Sequence, residues 1–312
     1  MDVSGLLNEL NDAQREAVTT EAQNTLVLAG AGSGKTRVLV HRVAWLIQVE
    51  GLSPYGILAV TFTNKAAGEM RSRIEKLVGV PTRGMWVGTF HGLAHRLLRA
   101  HWQEAGLEQD LQILDSQDQQ RLVRRVLKSL DLDEAKWPAK QLQWFINSCK
   151  DEGRRPQHIE TRNDPHLKRQ VQVYEAYEAL CQRSGLVDFA ELLLRAHELL
   201  RDRPDVLKHY QSRFRHILVD EFQDLTPAYM LLLRLLASPG MEVFGVGDDD
   251  QVIYGYAGAD PRFLLDFERL FPGAGSHALT INYRCPTDVV DAATSLLAYN
   301  RRRVDKDIHA AE

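Results

Sequence analysis

The sequence predicts an α/β fold in which a parallel sheet carries a phosphate-binding loop and is interrupted by a mostly helical insertion. Three observations carry that prediction. The apolar runs Thr25-Leu26-Val27-Leu28, Ile57-Leu58-Ala59-Val60-Thr61-Phe62 and Ile217-Leu218-Val219 do not alternate with polar residues, as suits strands buried on both faces. The first runs into Ala29-Gly30-Ala31-Gly32-Ser33-Gly34-Lys35-Thr36 and then into Val38-Leu39-Val40, Val43, Ala44 and Leu46 at helical spacing, which reads as strand, loop, helix. From about 115 to 185, strands give way to helices with long polar faces.

The loop states its own chemistry. Small residues let backbone N–H groups turn toward phosphate oxygens, and the helix N-terminus adds partial positive charge. Lys35 is expected to bring a point charge to the β- and γ-phosphates and Thr36 to ligate Mg²⁺. The strict pattern asks for Gly where this chain has Ala29, a small substitute.

Size and charge bound the rest. A chain of 312 residues with 44% hydrophobic content can hold one large domain or two medium ones. A net charge of −4 offers no global basic field, which argues against an architectural nucleic-acid protein but not against a local groove. Cys149, Cys181 and Cys285 are few and widely spaced, fit a reducing compartment and give no zinc pattern. Met1-Asp2-Val3-Ser4 does not open a basic segment followed by an apolar one, and no apolar run reaches membrane length, so a cytoplasmic protein with no membrane partner is expected.

In chain order, Leu10-Asn11-Asp12-Ala13-Gln14-Arg15-Glu16-Ala17-Val18 reads as a capped amphipathic helix. Gln14 suits a two-bond pair with adenine, though taken alone it reads first as a solvated helix residue. After Ile57 to Phe62, Thr63-Asn64-Lys65-Ala66-Ala67-Gly68-Glu69-Met70 starts a helix, with Phe62 and Asn64 at the carboxyl end of a strand, where ligands collect in doubly wound sheets. Met85-Trp86-Val87-Gly88-Thr89 reads as a third strand, ending at Phe90-His91-Gly92. Thr89 there suits a phosphate and Phe90 or His91 a base, while Phe90 as core and His91 as a helix cap are equally open readings. Helices are expected over Asp118 to Leu130, Lys140 to Lys150 and Leu167 to Arg183. Trp137-Pro138, Gly153-Arg154-Arg155-Pro156 and Asn163-Asp164-Pro165 separate them. Arg121, Arg124, Arg125 and Lys128 read first as solvated surface. Val187 to Leu193 reads as an apolar helix returning to the core.

Asp220 and Glu221 follow the strand Ile217-Leu218-Val219. Asp220 suits Mg²⁺, and Glu221 suits deprotonating a water for attack on the γ-phosphorus; capping of the next helix is the plainer alternative. Met241 to Gly247 is a further strand, after which Gln251 suits sensing the γ-phosphate, and Tyr254 and Tyr256 offer faces for stacking bases. Leu279 to Asn282 ends on Tyr283 and Arg284, the one suited to lie over adenine and the other to neutralise charge on the transferred phosphoryl.

Taken together, these blocks resemble the UvrD/Rep/PcrA group of superfamily 1A DNA helicases, the UvrD type above all. The matching blocks are Leu10 to Val18, Ala29 to Arg37, Val60 to Ala67, Val87 to Gly92, Val219 to Asp224, Val246 to Gly258 and Asn282-Tyr283-Arg284. The resemblance implies ATP-driven 3′ to 5′ translocation on single-stranded DNA coupled to unwinding, with ATP and Mg²⁺ as cofactors. Partners would be single-stranded DNA, junctions of single- and double-stranded DNA, and repair proteins. It implies that Gln14, Arg37 and Tyr283 contact adenine, and that Lys35, Thr36, Asp220, Glu221, Gln251 and Arg284 form the phosphate, metal and hydrolysis set. Phe62, Asn64, Thr89, His91, Tyr254 and Tyr256 fall on its DNA-contact motifs. Its layout implies a RecA-like P-loop NTPase subdomain 1A over residues 1–112 and 188–290, a helical subdomain 1B over 113–187, and the start of a second RecA-like domain over 291–312.

The chain departs from the family pattern at three places. Tyr256-Ala257 stands where Trp-Arg is usual, which removes a basic contact. Asp224-Leu225-Thr226-Pro227 stands where Asp-Thr-Asn is usual. The match stops at Glu312, before the second motor domain and its arginine, so slow or absent hydrolysis is expected of this polypeptide. The rival expectation is a noncatalytic module that holds ATP, single-stranded DNA or a partner. A small-molecule P-loop kinase is a third reading, for which no acceptor pocket is legible.

Overall fold

The computed structural model describes residues 3–237, 239–301 and 303–311. Met1, Asp2, Arg302 and Glu312, on which parts of the terminal readings fall, lie outside them. The chain divides into two compact units: residues up to Phe90 with Lys208–Thr226 and those from Leu236 onward, and His91–Leu207 with Pro227–Leu235.

In chain order the strands are β1 Asn24–Ala29, β2 Ile57–Thr61, β3 Trp86–Thr89, β4 Gln112–Ile113, β5 Leu186–Val187, β6 His216–Val219, β7 Glu242–Gly247, β8 Ala274–Leu279, β9 Ile281–Asn282 and β10 His309–Ala310. The first unit is built on a six-stranded sheet in the order β3-β2-β6-β7-β1-β8, parallel at every pairing. β1, β2 and β6 are buried along their whole length, which is why they read as unbroken apolar runs. Crossover helices cover the sheet. Lys35–Gln48 buries Val38, Leu39, Val40, Val43, Ala44 and Leu46 in a core shared with Val27, Ala59, Leu218 and Val246. Asn64–Val78 opens where the Thr63 hydroxyl accepts the Ala66 N–H and closes at Gly79, whose φ of 72° gives the left-handed stop.

The second unit is helical. Ser116–Ser129, Ala139–Asp151 and Pro165–Ser184 pack Val123, Val126, Leu127, Leu142, Ile146, Tyr174 and Tyr177 into one core, beside the short pair β4-β5. The helix Phe189–Asp202 also lies in this unit. Asp188 and Glu191 both take the buried Lys150 ammonium at 2.8 Å, and Glu191 and Glu198 take the Arg155 guanidinium. Buried charges persist only when paired, so these contacts hold residues 188–207 with the preceding helices. The compact units therefore group the chain differently from the subdomain limits at 113 and 187 that the resemblance implies. Arg121 and Arg124, on the solvent side of Ser116–Ser129, pair with Asp118 and Glu134.

Candidate functional site

Parallel strands present all their carboxyl ends along one edge, so the sheet order decides which loops become neighbours. Because β6, β7 and β1 lie side by side, the residues after Val219, Gly247 and Ala29 converge, although they are far apart in sequence. Strands spaced about 4.8 Å apart leave Lys and Glu side chains long enough to meet across the gap between β1 and β6.

The loop after β1 bends through Gly32 and Gly34, with φ of 70° and 90°. Both positions are also closed to a side chain. A Cβ on Gly32 would lie 2.7 Å from the Arg284 Cβ and the Asn282 Oδ1, and one on Gly34 would lie 2.6 Å from the Gln14 Nε2. Ser33 is buried, its hydroxyl donating to the Gly30 carbonyl at 2.7 Å. Lys35–Gln48 starts at Gly34 with no side-chain cap, which leaves its first N–H groups for an anion.

Facing the loop, the Lys35 Nζ donates to the Glu221 Oε2 at 3.0 Å. Glu221 also accepts the Gln223 Nε2 at 2.8 Å, and the Gln223 Oε1 accepts the Asp248 N–H at 3.0 Å. The Asp248 Oδ2 in turn accepts the Gln251 Nε2 at 2.5 Å. One hydrogen-bonded line thus joins Lys35 to Gln251 across three strand ends. Glu221 holds a left-handed φ of 48°, a conformation that costs a non-Gly residue about 1–3 kcal/mol and gathers at functional sites. Burial first, and then the Glu221 charge, push the Asp220 carboxyl up to about 7, with Lys35 opposing. Burial and Glu221 likewise raise Asp224 to about 6. The Asp224 Oδ1 is buried and has no hydrogen-bond partner among the described residues. Three carboxylates near one ammonium, one of them with a buried lone pair unused, supply oxygen donors of the kind a divalent cation takes.

On the other side of the loop, the Tyr283 N–H donates to the Gly32 carbonyl at 3.0 Å and its hydroxyl accepts the Asn11 Nδ2 at 2.7 Å. Gln14 is not a solvated residue: it is 2% exposed, and its amide caps its own helix while donating to the Ser33 carbonyl at 2.9 Å. Arg37 donates to the Glu9 carbonyl. The Arg284 guanidinium is exposed, with its backbone N–H held by the Asn282 Oδ1 at 2.8 Å. Ala29, Gly30, Ala31 and Thr36 complete the loop. Every residue expected around the nucleotide therefore lies on, or within one contact of, this edge.

The residues expected to meet a polynucleotide spread farther. Phe62 and Asn64 follow β2 and Thr89 ends β3 on the same edge, with the Phe62 ring 6.0 Å from that of Phe90. Phe90 itself is 8% exposed and belongs to the core. Tyr254 and Tyr256 follow β7, 45% and 85% exposed, their rings 6.1 Å apart. His91 falls in the second unit, its ring edge-on to Tyr229 and Phe189, and burial lowers its imidazole to about 4.

Sequence reasoning missed Gln223, Asp224, Asp248 and Asn282. Gln223 and Asp224 lie in the segment after Glu221 to which no role was assigned, and Asp248 directly follows β7. Asn282 is buried and turns the chain by accepting the Arg284 and Cys285 N–H groups, a signal readable from an Asn at a strand end just before Pro286.

The family described as UvrD/REP helicase N-terminal domain matches residues 10–272. The chain is 57% identical over 308 residues to DNA helicase II of Escherichia coli K12, covering 99% of this chain and 43% of that protein. It is 51% identical over 316 residues to DNA helicase II of Haemophilus influenzae, with 99% and 43% covered. To the ATP-dependent DNA helicase PcrA of Staphylococcus aureus Mu50 it is 39% identical over 310 residues, with 99% and 42% covered. The chain thus spans less than half the length of these relatives. No helix among the described residues is long and apolar enough to cross a membrane. With the six-stranded parallel sheet and the loop geometry above, the match identifies the chain as a member of the UvrD/REP helicase N-terminal domain family.

Proposed function

We propose that this chain is the ATP-binding N-terminal part of a DNA helicase that moves 3′ to 5′ along single-stranded DNA, opens junctions, and works in the cytoplasm in DNA repair or replication. The observation that carries the reading is the line of hydrogen bonds from Lys35 through Glu221, Gln223 and Asp248 to Gln251 beneath the phosphate loop. In this reading residues 113–187 form the inserted subdomain 1B, the flanking segments form the RecA-like subdomain 1A, and 291–312 begin a second RecA-like domain.

Lys35 has three N–H donors, and its pairing with Glu221 is the contact that nucleotide phosphates would replace. That exchange would free the Glu221 Oε2 to accept a proton from an attacking water, while Gln251 orients that water and Arg284 meets the γ-phosphate. Thr36 and Asp220 would hold Mg²⁺, with the lone pair of Asp224 available to its water shell. Such an ion would supply positive charge to offset that of the phosphates. Gln14, Arg37 and Tyr283 would hold the adenine. Phe62, Asn64, Thr89, His91, Tyr254 and Tyr256 would contact DNA, the exposed tyrosines by stacking.

DNA-stimulated phosphate release and ATP binding test this directly. Lys35→Ala should lose ATP binding, and Glu221→Gln should keep binding while losing turnover. Unchanged ATP affinity in the first, or normal hydrolysis in the second, overturns the assignment.

A further inference from the structure

Asp248, Asp249 and Asp250 place three carboxylate oxygens within 4.8 Å of one another. The ammonium of Lys306 lies among them, 2.9 Å from the Asp248 Oδ1, 3.1 Å from the Asp250 Oδ2 and in direct contact with Asp249. Its side chain is 1% exposed. The neighbouring chain closes on the same turn: Arg303 forms a two-bond pair with Asp250, and the Val304 N–H donates to the Asp249 Oδ2 at 2.6 Å. Burial alone would lower the Lys306 ammonium, but its hydrogen bonds to Asp248 and Asp249 outweigh burial and raise it.

The consequence lies on the far side of Asp248. An ionised carboxylate only accepts, so the one that meets Gln251 fixes which end of that amide faces it: Nε2 must point at the Asp248 Oδ2, and Oε1 is directed away. We propose that Lys306 is a positioning residue for nucleotide hydrolysis: its ammonium on the Asp248 Oδ1 holds that carboxylate so that Oδ2 takes the Gln251 Nε2 and Gln251 presents its carbonyl oxygen, an acceptor, to the attacking water. The inference rests on the nucleotide reading above and adds to it a cation that lies 55 residues beyond Gln251. Asp248 carries the effect in both directions, since its N–H also anchors Gln223 and through it Glu221.

The test is single-turnover phosphate release from radiolabelled ATP, read alongside ATP affinity, in the full chain. Lys306→Met should slow release about tenfold to a hundredfold, the scale expected when a water-orienting group is misplaced, with affinity changed less than about threefold. Lys306→Arg should restore the rate to within about threefold. Gln251→Ala should slow release as much as Lys306→Met, and the double variant should lose nothing further, because both changes remove one function. Asp248→Asn, which keeps the shape and adds no uncompensated buried charge, should reproduce the slowing if Lys306→Met fails to fold. Wild-type release in Lys306→Met or Asp248→Asn, or losses that multiply in the double variant, overturns the inference and leaves the nucleotide reading standing. A wild-type chain that binds no ATP overturns both, and one that binds ATP but releases no phosphate overturns the inference alone.

Discussion

Gly34→Ala is the substitution whose cost the geometry states most fully. Alanine at a φ of 90° costs about 1–2 kcal/mol in the left-handed region, and the stiffer unfolded chain returns about 0.4–1 kcal/mol. The new Cβ would also stand 2.6 Å from the Gln14 Nε2. That amide cannot swing into solvent, since Gln14 is 2% exposed and its oxygen is held by the Asn11 N–H. Its bond to the Ser33 carbonyl must break, which adds about 1–3 kcal/mol for a buried donor left unpaired. The expected total is about 2–4 kcal/mol, measured by urea unfolding. Gly51→Ala is the control: φ there is 70° and nothing lies within 4 Å of a new Cβ, so only the conformational part, about 1 kcal/mol, remains. In a Gln14→Ala background, Gly34→Ala should fall to the Gly51→Ala value. Equal losses for Gly34→Ala and Gly51→Ala in the native background would refute the claim that Gln14 braces the loop.

Three further outcomes are expected. The His91 imidazole is lowered to about 4 by burial, so the second unit holds it neutral. The stability this gives is present above the unfolded value of about 6.5 and is lost as pH falls toward 4, by at most about 3 kcal/mol; His91→Phe should flatten that acid limb in pH-dependent unfolding. Asn282→Ala leaves the Arg284 and Cys285 N–H groups without their acceptor, and should cost about 1–3 kcal/mol of stability and raise the KM for ATP. Tyr254→Ala and Tyr256→Ala should each weaken single-stranded DNA binding by about 1–3 kcal/mol in fluorescence anisotropy, with unfolding of the free protein unchanged because both rings are exposed.

What the sequence made legible was local or periodic. Unbroken apolar runs gave the central strands because parallel strands are buried on both faces, and Asn11 and Thr63 announced helix starts that their side chains do cap. The phosphate loop could be read because its glycines, lysine and threonine are contiguous. Three kinds of feature stayed hidden. Charge in a sequence reads as surface, so the buried Lys150, Arg155, Asp188 and Glu191 gave no hint that they would bind 188–207 to the preceding helices. Backbone strain has no residue signature, and nothing in Asp220-Glu221 foretells a positive φ at the glutamate. Long-range pairing is a product of topology: Lys306 meets Asp248 only because β9 and β10 pair and bring the end of the chain back beside β7. Gln14 shows the two levels together, since its type suggested recognition of a base while its burial makes it part of the loop's support.

The sheet edge also divides by strand in a way that makes a further prediction. The nucleotide candidates other than Gln14 follow β6, β7, β1 and β9, and the polynucleotide candidates lie at or after the ends of β3, β2 and β7. Only the segment after β7 carries both, with Gln251 on the hydrogen-bonded line and Tyr254 three positions on. If fuel and strand are coupled inside the first unit, this segment is the shortest physical route between them, and coupling is reciprocal: whatever factor ATP imposes on DNA affinity, DNA imposes on ATP affinity. Anisotropy titrations of single-stranded DNA with ADP and with a non-hydrolysable ATP analogue measure that factor. Gln251→Ala should bring it to about one while leaving DNA affinity without nucleotide unchanged, because Tyr254 and Tyr256 remain in place. A coupling factor that survives Gln251→Ala would assign the communication to a different part of the edge and remove the segment after β7 from the mechanism.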